Sequence, residues 1–388
     1  MTSGDFEKSL KLPKILLECA GIQISPKKNG FASLIKSWIF HFYLTWVVSI
    51  LLGEFLWLVD GVYTGQNFED LCTIAPCFTL SILAIVKFNC LYFNKDVVED
   101  LVEKLRTMYP NDEEASDKEK IIIQKALKFL RAVMRLFCYS SVVVVLVFGY
   151  ASALSMVYDY ITTGTSEFKF PFSVKYFFEI STLSQWALIY LYQIGAICVD
   201  LLSTDLLFYA FCTYLQMHFR LLCLQFENIV SNNKAETEEN FRMAVRRHQD
   251  LIEMVEQIEL LYSKSTLCNM TLSSLLICLS GFIVTVNQLS FSVFSFVAFL
   301  VMNLSQISLL CYFGDMLNSS TRVSQAAYNS LWYDAGLNIK RSVFIVIIRA
   351  QEPCKLTAMK YADLNLNALS AILRTSWSYF ALLKTLYD

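Results

Sequence analysis

Charge, glycine, proline and histidine are all scarce in this chain of 388 residues. Charged side chains make up 17% of it, against about 25% in ordinary soluble domains. With so few polar residues, a water-soluble globule of this length would lack a hydrated surface. Twelve glycines and six prolines leave little turn chemistry, which argues against a β-barrel of short alternating strands and for long helices. Three histidines, His41, His218 and His248, lie in separate segments with no ligand-spaced partner, so no metal centre or cofactor is expected. Phosphate-binding loops, dinucleotide glycine patterns and nucleophile elbows are absent, and with them the common enzymatic signatures. No basic block points to nucleic acid. The twelve cysteines contain no Cys-x-x-Cys pair and lie mostly in apolar runs, where thiols pack as small hydrophobes. Charges at Asp5, Glu7, Lys8, Lys11 and Lys14 break up the N-terminus, so it does not read as a secretion signal.

What the chain has in excess is apolar length: 55% hydrophobic and 14% aromatic residues. Seven segments are long enough for about 30 Å of hydrocarbon: Trp38–Val59, Leu71–Phe93, Val133–Val157, Tyr176–Leu202, Leu267–Asn287, Phe291–Gly314 and Leu366–Tyr387. The last is the most polar. Lys and Arg are plentiful in the N-terminal segment and in the second, fourth and sixth connections. They are nearly missing from the first, third and fifth. The strict alternation places the N-terminus and the rich connections in the cytosol, and seven spans then leave the C-terminus outside. The expected fold class is therefore all-α, a polytopic membrane protein of seven helices. Its orientation is the reverse of a G-protein-coupled receptor, and the Asp-Arg-Tyr and Asn-Pro-x-x-Tyr motifs of that class are missing.

Apolar residues at Phe241, Val245, Leu251, Ile252, Val255, Ile258 and Leu261 recur at helical spacing. The fourth span runs on through Leu206–Ile229. Both tracts predict a helical bundle projecting into the cytosol, with exposed loops at Asn111–Lys120 and Ser231–Asn240. Among the charges inside the spans, Glu54, Lys87, Glu179 and Asp200 stand out, because burial there is costly. Lys87 is placed to snorkel toward the cytosol, and a structural role comes first for Lys87, Glu179 and Asp200. The three sequons, at Asn269, Asn303 and Asn318, fall in spans or on the cytosolic side and are expected to carry no glycan.

The last span carries a polar stripe, Asn367, Ser370, Arg374, Ser378, Ala381 and Thr385, with an adjoining line at Thr375, Ser378, Leu382 and Leu386. Such a stripe suits a partner helix or, if copies meet around an axis, a conduit lined by Thr375 and Ser378. In that conduit Leu382 and Leu386 would form an apolar gate. Outer halves of the spans are rich in aromatic, Met, Ser and Thr side chains: Phe78 and Thr79; Tyr150, Ser152 and Met156; Phe177, Ser181 and Gln185; Phe282 and Asn287. They suit a pocket for a small, mostly apolar ligand, or plain bundle packing; periodicity does not separate the two.

The C-terminal third resembles the insect odorant receptor family. The resemblance is carried by Phe313-Gly-Asp-Met-Leu317, Ser320-Thr-Arg-Val-Ser-Gln-Ala-Ala-Tyr328 and Leu331-Trp-Tyr333. Arg349, Pro353, Ala368-Leu-Ser-Ala-Ile-Leu373 and Ser376-Trp-Ser-Tyr-Phe-Ala-Leu-Leu383 complete it. Trp377 stands where a Tyr is common, an exchange of one aromatic for another. The resemblance implies an odorant-gated, non-selective cation channel in the plasma membrane of olfactory dendrites. Its last span would line the pore of a tetramer shared with a co-receptor subunit. The chain lacks the long cytosolic insertion of that co-receptor and so resembles a ligand-tuning subunit. Residues 1–314 would then hold six spans with their helical extensions, and residues 315–364 the anchor helices, with Tyr328, Trp332 and Tyr333 in the subunit anchor. Residues 365–388 would form the pore helix.

Three other readings compete. A gustatory receptor shares the architecture, but the Ser-Tyr-Phe ending differs from its Thr-Tyr…Gln-Phe ending. A transporter predicts midplane ionisable pairs and broken helices, and a membrane enzyme predicts clustered His or Asp at one membrane face. Neither pattern is clear in the sequence.

Overall fold

A computed structural model describes residues 3–24, 30–110, 115–165, 167–231, 233–286 and 291–387, with the side chains of 3–4, 30–33, 196–203 and 291–292 excepted. The chain is helical almost throughout. In order come α1 (Ser3–Cys19), α2 (Gly30–Thr64), α3 (Phe68–Cys72), α4 (Ala75–Phe93), α5 (Lys95–Thr107), α6 (Asp117–Thr163), α7 (Leu183–Glu227), α8 (Lys234–Val286) and α9 (Phe291–Met316). A 3₁₀ turn then leads to α10 (Arg322–Asn329), a second to α11 (Leu337–Gln351), and a two-stranded hairpin, β1 (Thr357–Ala358) with β2 (Ala362–Asp363), to α12 (Leu366–Tyr387).

Three helices are far longer than a membrane is thick. With 47, 45 and 53 residues, α6, α7 and α8 run about 70–80 Å at 1.5 Å per residue, against about 30 Å of hydrocarbon. More than half of each lies beyond the membrane, and these extensions form the bundle expected below it. The end they occupy is the inner end under the charge assignment made above. Their starts lie closer to the charged tracts than expected. α6 begins at Asp117, where Ser116 and Glu119 form a reciprocal capping box, and α8 begins at Lys234. Most of the tract 231–240 is therefore helix; positions 111–114 lie outside the described residues. The fourth span also differs. Residues 176–182 are a loop, and α7 starts at Leu183 behind a second capping box, Thr182 with Gln185.

Six helical stretches among the described residues are apolar and long enough to cross a membrane. α12 is not among them; its 22 residues give the length, but its polar side chains lower its hydropathy. One of the six, Thr204–Glu227, lies in the inner bundle. There α7 is surrounded by α1, α4, α6, α8, α9 and α10, and Leu206 through Leu215 are all buried. A helix apolar all round is a core helix, whatever solvent surrounds its neighbours. Tyr209 stacks on Phe313 at 4.7 Å between ring centroids and Phe208 meets Tyr262 edge-on at 5.0 Å.

One of the in-span charges takes a role other than the one expected. Lys87 does not snorkel. Its ammonium donates to both carboxylate oxygens of Asp205 on α7, at 2.7 and 2.8 Å, and Gln306 of α9 donates to the same carboxylate at 2.6 Å. All three are buried, so a buried ionisable pair does exist. The space beside it is only about 10 Å³, too small for any substrate, and the pair ties α4, α7 and α9 together. Glu54 is buried, and Ser81 of α4 donates to it at 3.1 Å. Glu179 is exposed in the loop before α7; the side chain of Asp200 lies outside the described residues. The sequon asparagines Asn269 and Asn303 are buried within α8 and α9.

α12 is set by what lies at its base. The hairpin is pinned to α8: Ser263 accepts from the Met359 amide at 2.7 Å, and the Thr357 hydroxyl donates to Glu259. The chain then crosses α9 at Gly314, where an added Cβ would stand 2.4 Å from the carbonyl oxygen of Leu364. That close approach explains a glycine inside an otherwise bulky helix.

Candidate functional site

Two features outside the packed core have functional character. The first is a cavity of about 780 Å³ at the outer end, between α4, α6 and α9 and roofed by the loop that precedes α7. Its wall on α6 is Phe148, Ala151, Ser152, Ser155, Tyr158 and Asp159. Thr73 and Cys77 close one side and Phe294, Ser295 and Phe296 the other. The roof is Lys169, Phe170, Pro171 and Ser173. A largely apolar space with a few hydroxyls is what a small organic ligand requires.

The roof is held in place by side chains of α7. Gln193, fully buried, accepts from the Phe172 amide at 3.1 Å and donates to the Tyr176 hydroxyl at 2.9 Å. Trp186 donates to the Lys169 carbonyl at 2.9 Å. Lys169 bridges back to α6, 2.5 Å from Asp159 and donating to Ser155 at 2.9 Å. The Lys175 amide donates to the Gly53 carbonyl of α2 at 3.0 Å, and its ammonium is 2.6 Å from Asp60. The loop is thus a fastened lid.

Of the ten residues expected in a pocket, Ser152 lines this cavity. Thr79 is buried one turn from the wall, its hydroxyl turned back to the Ala75 and Pro76 carbonyls at 2.8 and 3.0 Å. Phe78 and Met156 are half-buried on the flanking helices. Tyr150 is 62% exposed and Phe177 95% exposed, so both face away. Ser181 is exposed, and the Gln185 carbonyl caps α7 by accepting from the Ser181 and Thr182 amides. Phe282 is fully buried between Phe68 of α3 and Tyr387 of α12, at 5.9 and 5.4 Å. Asn287 lies outside the described residues. Sequence reading passed over the lid residues and Cys77. The signal available was the pair Asp159 and Lys169, the charges that flank an otherwise sparsely charged connection.

The second feature is α12 itself. It packs on α8 and α9 through one seam of Leu369, Ile372, Ser376, Phe380 and Leu383, buried or half-buried at intervals of three or four. Apart from half-buried Ala368, the rest of its described side chains are open. Thr375, Ser378, Leu382 and Leu386 are exposed, as is the polar stripe from Asn367 to Thr385. Trp377 is exposed too. α12 thus keeps both a polar and an apolar face uncovered by the described residues. A second uncovered area lies at the inner end. Tyr328, Tyr333, Leu337, Phe344, Ile345 and Ile348 are exposed around a half-buried Trp332, whose indole donates to the Tyr328 carbonyl at 3.2 Å.

The long apolar helices define a polytopic, all-helical membrane protein. Residues 67–377 match the family model of the 7tm odorant receptors, and the chain belongs to that family. It is similar along its length to putative odorant receptor 92a of Drosophila melanogaster, 25% identical over 98% of this chain and 96% of the relative. Odorant receptor 85b of the same fly is 26% identical over 98% and 99%. Among solved structures, the insect olfactory receptor OR5 of Machilis hrabei in complex with eugenol superposes with a TM-score of 0.83 over 99% of both chains at 16% identity. The same receptor in a second structure gives 0.82 over 98% of both. These likenesses place the fold.

Proposed function

We propose that this chain is the ligand-tuning subunit of an odorant-gated, non-selective cation channel, acting in the plasma membrane of olfactory dendrites with its N-terminus in the cytosol. The observation that carries the reading is α12, membrane-long, packed along one seam, and otherwise open with Thr375, Ser378, Leu382 and Leu386 uncovered. Copies of such a helix around an axis form a conduit whose narrow part, at Leu382 and Leu386, closes by dewetting. Residues 1–314 hold the spans that carry the ligand site, residues 315–364 the anchor, and residues 365–388 the pore helix. The exposed Tyr328 and Tyr333, with Trp332, meet a neighbouring subunit in a heterotetramer shared with the co-receptor.

The outer cavity is the site for a small, mostly apolar volatile. Its size, its phenylalanines and its serines support that reading, as does the capture of eugenol by the solved relative. Binding opens the pore only by being tighter in the open state. The physical link is short: α9 lines the cavity through Phe294–Phe296 and packs on α12, and Phe282 of α8 meets Tyr387 of α12. The deciding experiment is whole-cell current from cells expressing this chain with and without the co-receptor, across a panel of volatiles. Odorant-evoked cation current in the pair and not in the single chain establishes the reading. Silence, with both proteins at the surface and no binding of the same panel to purified protein, overturns it.

A further inference from the structure

At the inner end, between α1 and α6, lies a cavity of about 1050 Å³ that no part of the odorant or channel reading uses. Its lower wall carries three cations, Lys8 on α1 and Arg131 and Arg135 on α6, and no carboxylate lines it. Arg131 and Arg135 spend their Nε protons on backbone carbonyls one turn back, at Leu127 and Arg131, each at 3.2 Å. Neither takes part in an ion pair among the described residues, so their terminal nitrogens remain open. Among the described residues Lys8 pairs with Asp5, at 4.0 Å, and is largely exposed.

Directly above the arginines the exposed face of α6 changes character. Leu136, Tyr139 and Val142 follow at helical spacing and are 67%, 73% and 49% exposed, with Leu12 of α1 (41%) beside them. From 136 to 158 α6 carries no charge at all; 23 residues at 1.5 Å make about 34 Å, one hydrocarbon thickness. Arg131 and Arg135 therefore stand at headgroup level and the apolar stripe at acyl level. α1 lies along this boundary with Phe6, Leu10 and Leu17 buried inward and Leu12 and Ile15 exposed outward, the arrangement of an interfacial helix.

We propose that this cavity is a binding site for an anionic diacyl phospholipid of the inner leaflet. The phosphate and acidic headgroup are held by Lys8, Arg131 and Arg135, and an acyl chain lies along Leu136, Tyr139 and Val142. Charge complementarity selects the headgroup, because guanidinium groups bind phosphate in a bidentate fork, and the uncovered apolar stripe selects a lipid over a soluble phosphate. The occupant clamps α1 onto α6, and α1 in turn packs on the buried core helix α7, with Phe6 5.0 Å from Tyr214.

The test uses the full-length protein in a zwitterionic detergent, titrated with dioleoyl phosphatidylserine and, separately, dioleoyl phosphatidylcholine, with bound lipid counted by native mass spectrometry. Retention of the serine lipid over the choline lipid is expected. The double variant R131Q/R135Q should weaken it by about thirtyfold, a factor of about five for each arginine facing an anionic headgroup. A control, K125Q/K128Q, lower on the same helix, should leave it unchanged. Competition with soluble glycerophosphoserine on the unaltered protein separates the sources: no displacement supports a lipid, and displacement as effective as the lipid itself makes the cavity a soluble-phosphate site and overturns the proposal. Equal binding of both lipids, or undiminished binding by a monodisperse R131Q/R135Q protein, also overturns it. The competition arm needs no variant, so the proposal stays decidable if R131Q/R135Q fails to fold.

Discussion

Lys87 shows how a single side chain can matter through what it leaves behind. Its ammonium neutralises a carboxylate that water cannot reach, and Gln306 alone is a poor substitute. Lys87→Met should cost about 3–5 kcal/mol, because it strands the Asp205 charge, while Lys87→Met with Asp205→Leu should recover most of that loss. Surface expression and thermal midpoints of the single and double variants measure it. In the cavity, Ser152 is the residue whose enlargement fills ligand space with least disturbance to the core. Ser152→Phe should raise the half-maximal odorant concentration by at least about tenfold with maximal current retained, read from dose–response curves. At the proposed gate, Leu382→Ser replaces an apolar constriction with a wettable one. Current without odorant is the expected result, and a silent, normally gated channel counts against the gate.

At the scale of the element, the long helices carry different chemistry along their length. In their inner extensions α7 and α8 bury two histidines. His218 accepts a hydrogen bond from Arg247 at 3.2 Å. Burial first, and then the nearby guanidinium, push its pKa down to about 3. Burial and Arg349 hold His248 at about 4. Both are neutral in the fold, and in the unfolded chain both take up a proton near the ordinary value of about 6.5. The unfolded state therefore binds more protons as the pH falls below about 6.5. Stability is full above that value and declines by up to about 1.4 kcal/mol per pH unit for each histidine until the folded pKa is reached. The thermal midpoint in detergent should fall between pH 7 and pH 5, and His218→Asn with His248→Gln should flatten the decline. Asn keeps an acceptor for Arg247. In the short elements, geometry does the comparable work. The hairpin anchored on Glu259 and Ser263, together with Gly314, fixes where α12 starts.

For the whole molecule, the uncovered surfaces are the informative ones. A chain that buries its inner bundle so fully yet leaves Tyr333, Leu337, Phe344, Ile345 and Ile348 in the open has an apolar patch of the kind that subunits cover. Leu337→Asp with Phe344→Asp should leave the protomer folded and shift the purified co-expressed complex to smaller oligomers. Size-exclusion chromatography with light scattering reads the change; an unshifted complex means the contact lies elsewhere. α12 and this patch are far apart in function but share a cause, since each keeps a face that no other described residue of the chain covers.

The sequence by itself determined the class, an all-helical polytopic membrane protein. Apolar runs of membrane length, the alternation of Lys and Arg between connections and the polar stripe of the last segment are one-dimensional signals. They follow from local periodicity and from the cost of placing charge in hydrocarbon. The long inner extensions were legible for the same reason, in Phe241 through Leu261. The tertiary structure alone decided which side chains meet. Lys87 and Asp205 are 118 residues apart, and no periodicity reports such a pairing. The loop from 167 to 182 looked partly like a span, because aromatic residues that cover a cavity are as apolar as those that face lipid. Tyr150 and Ser152 stand two positions apart on α6, yet one is exposed and the other lines the cavity. A helix turns about 200° over two residues, so which residue faced inward waited on the placement of α4, α9 and the lid.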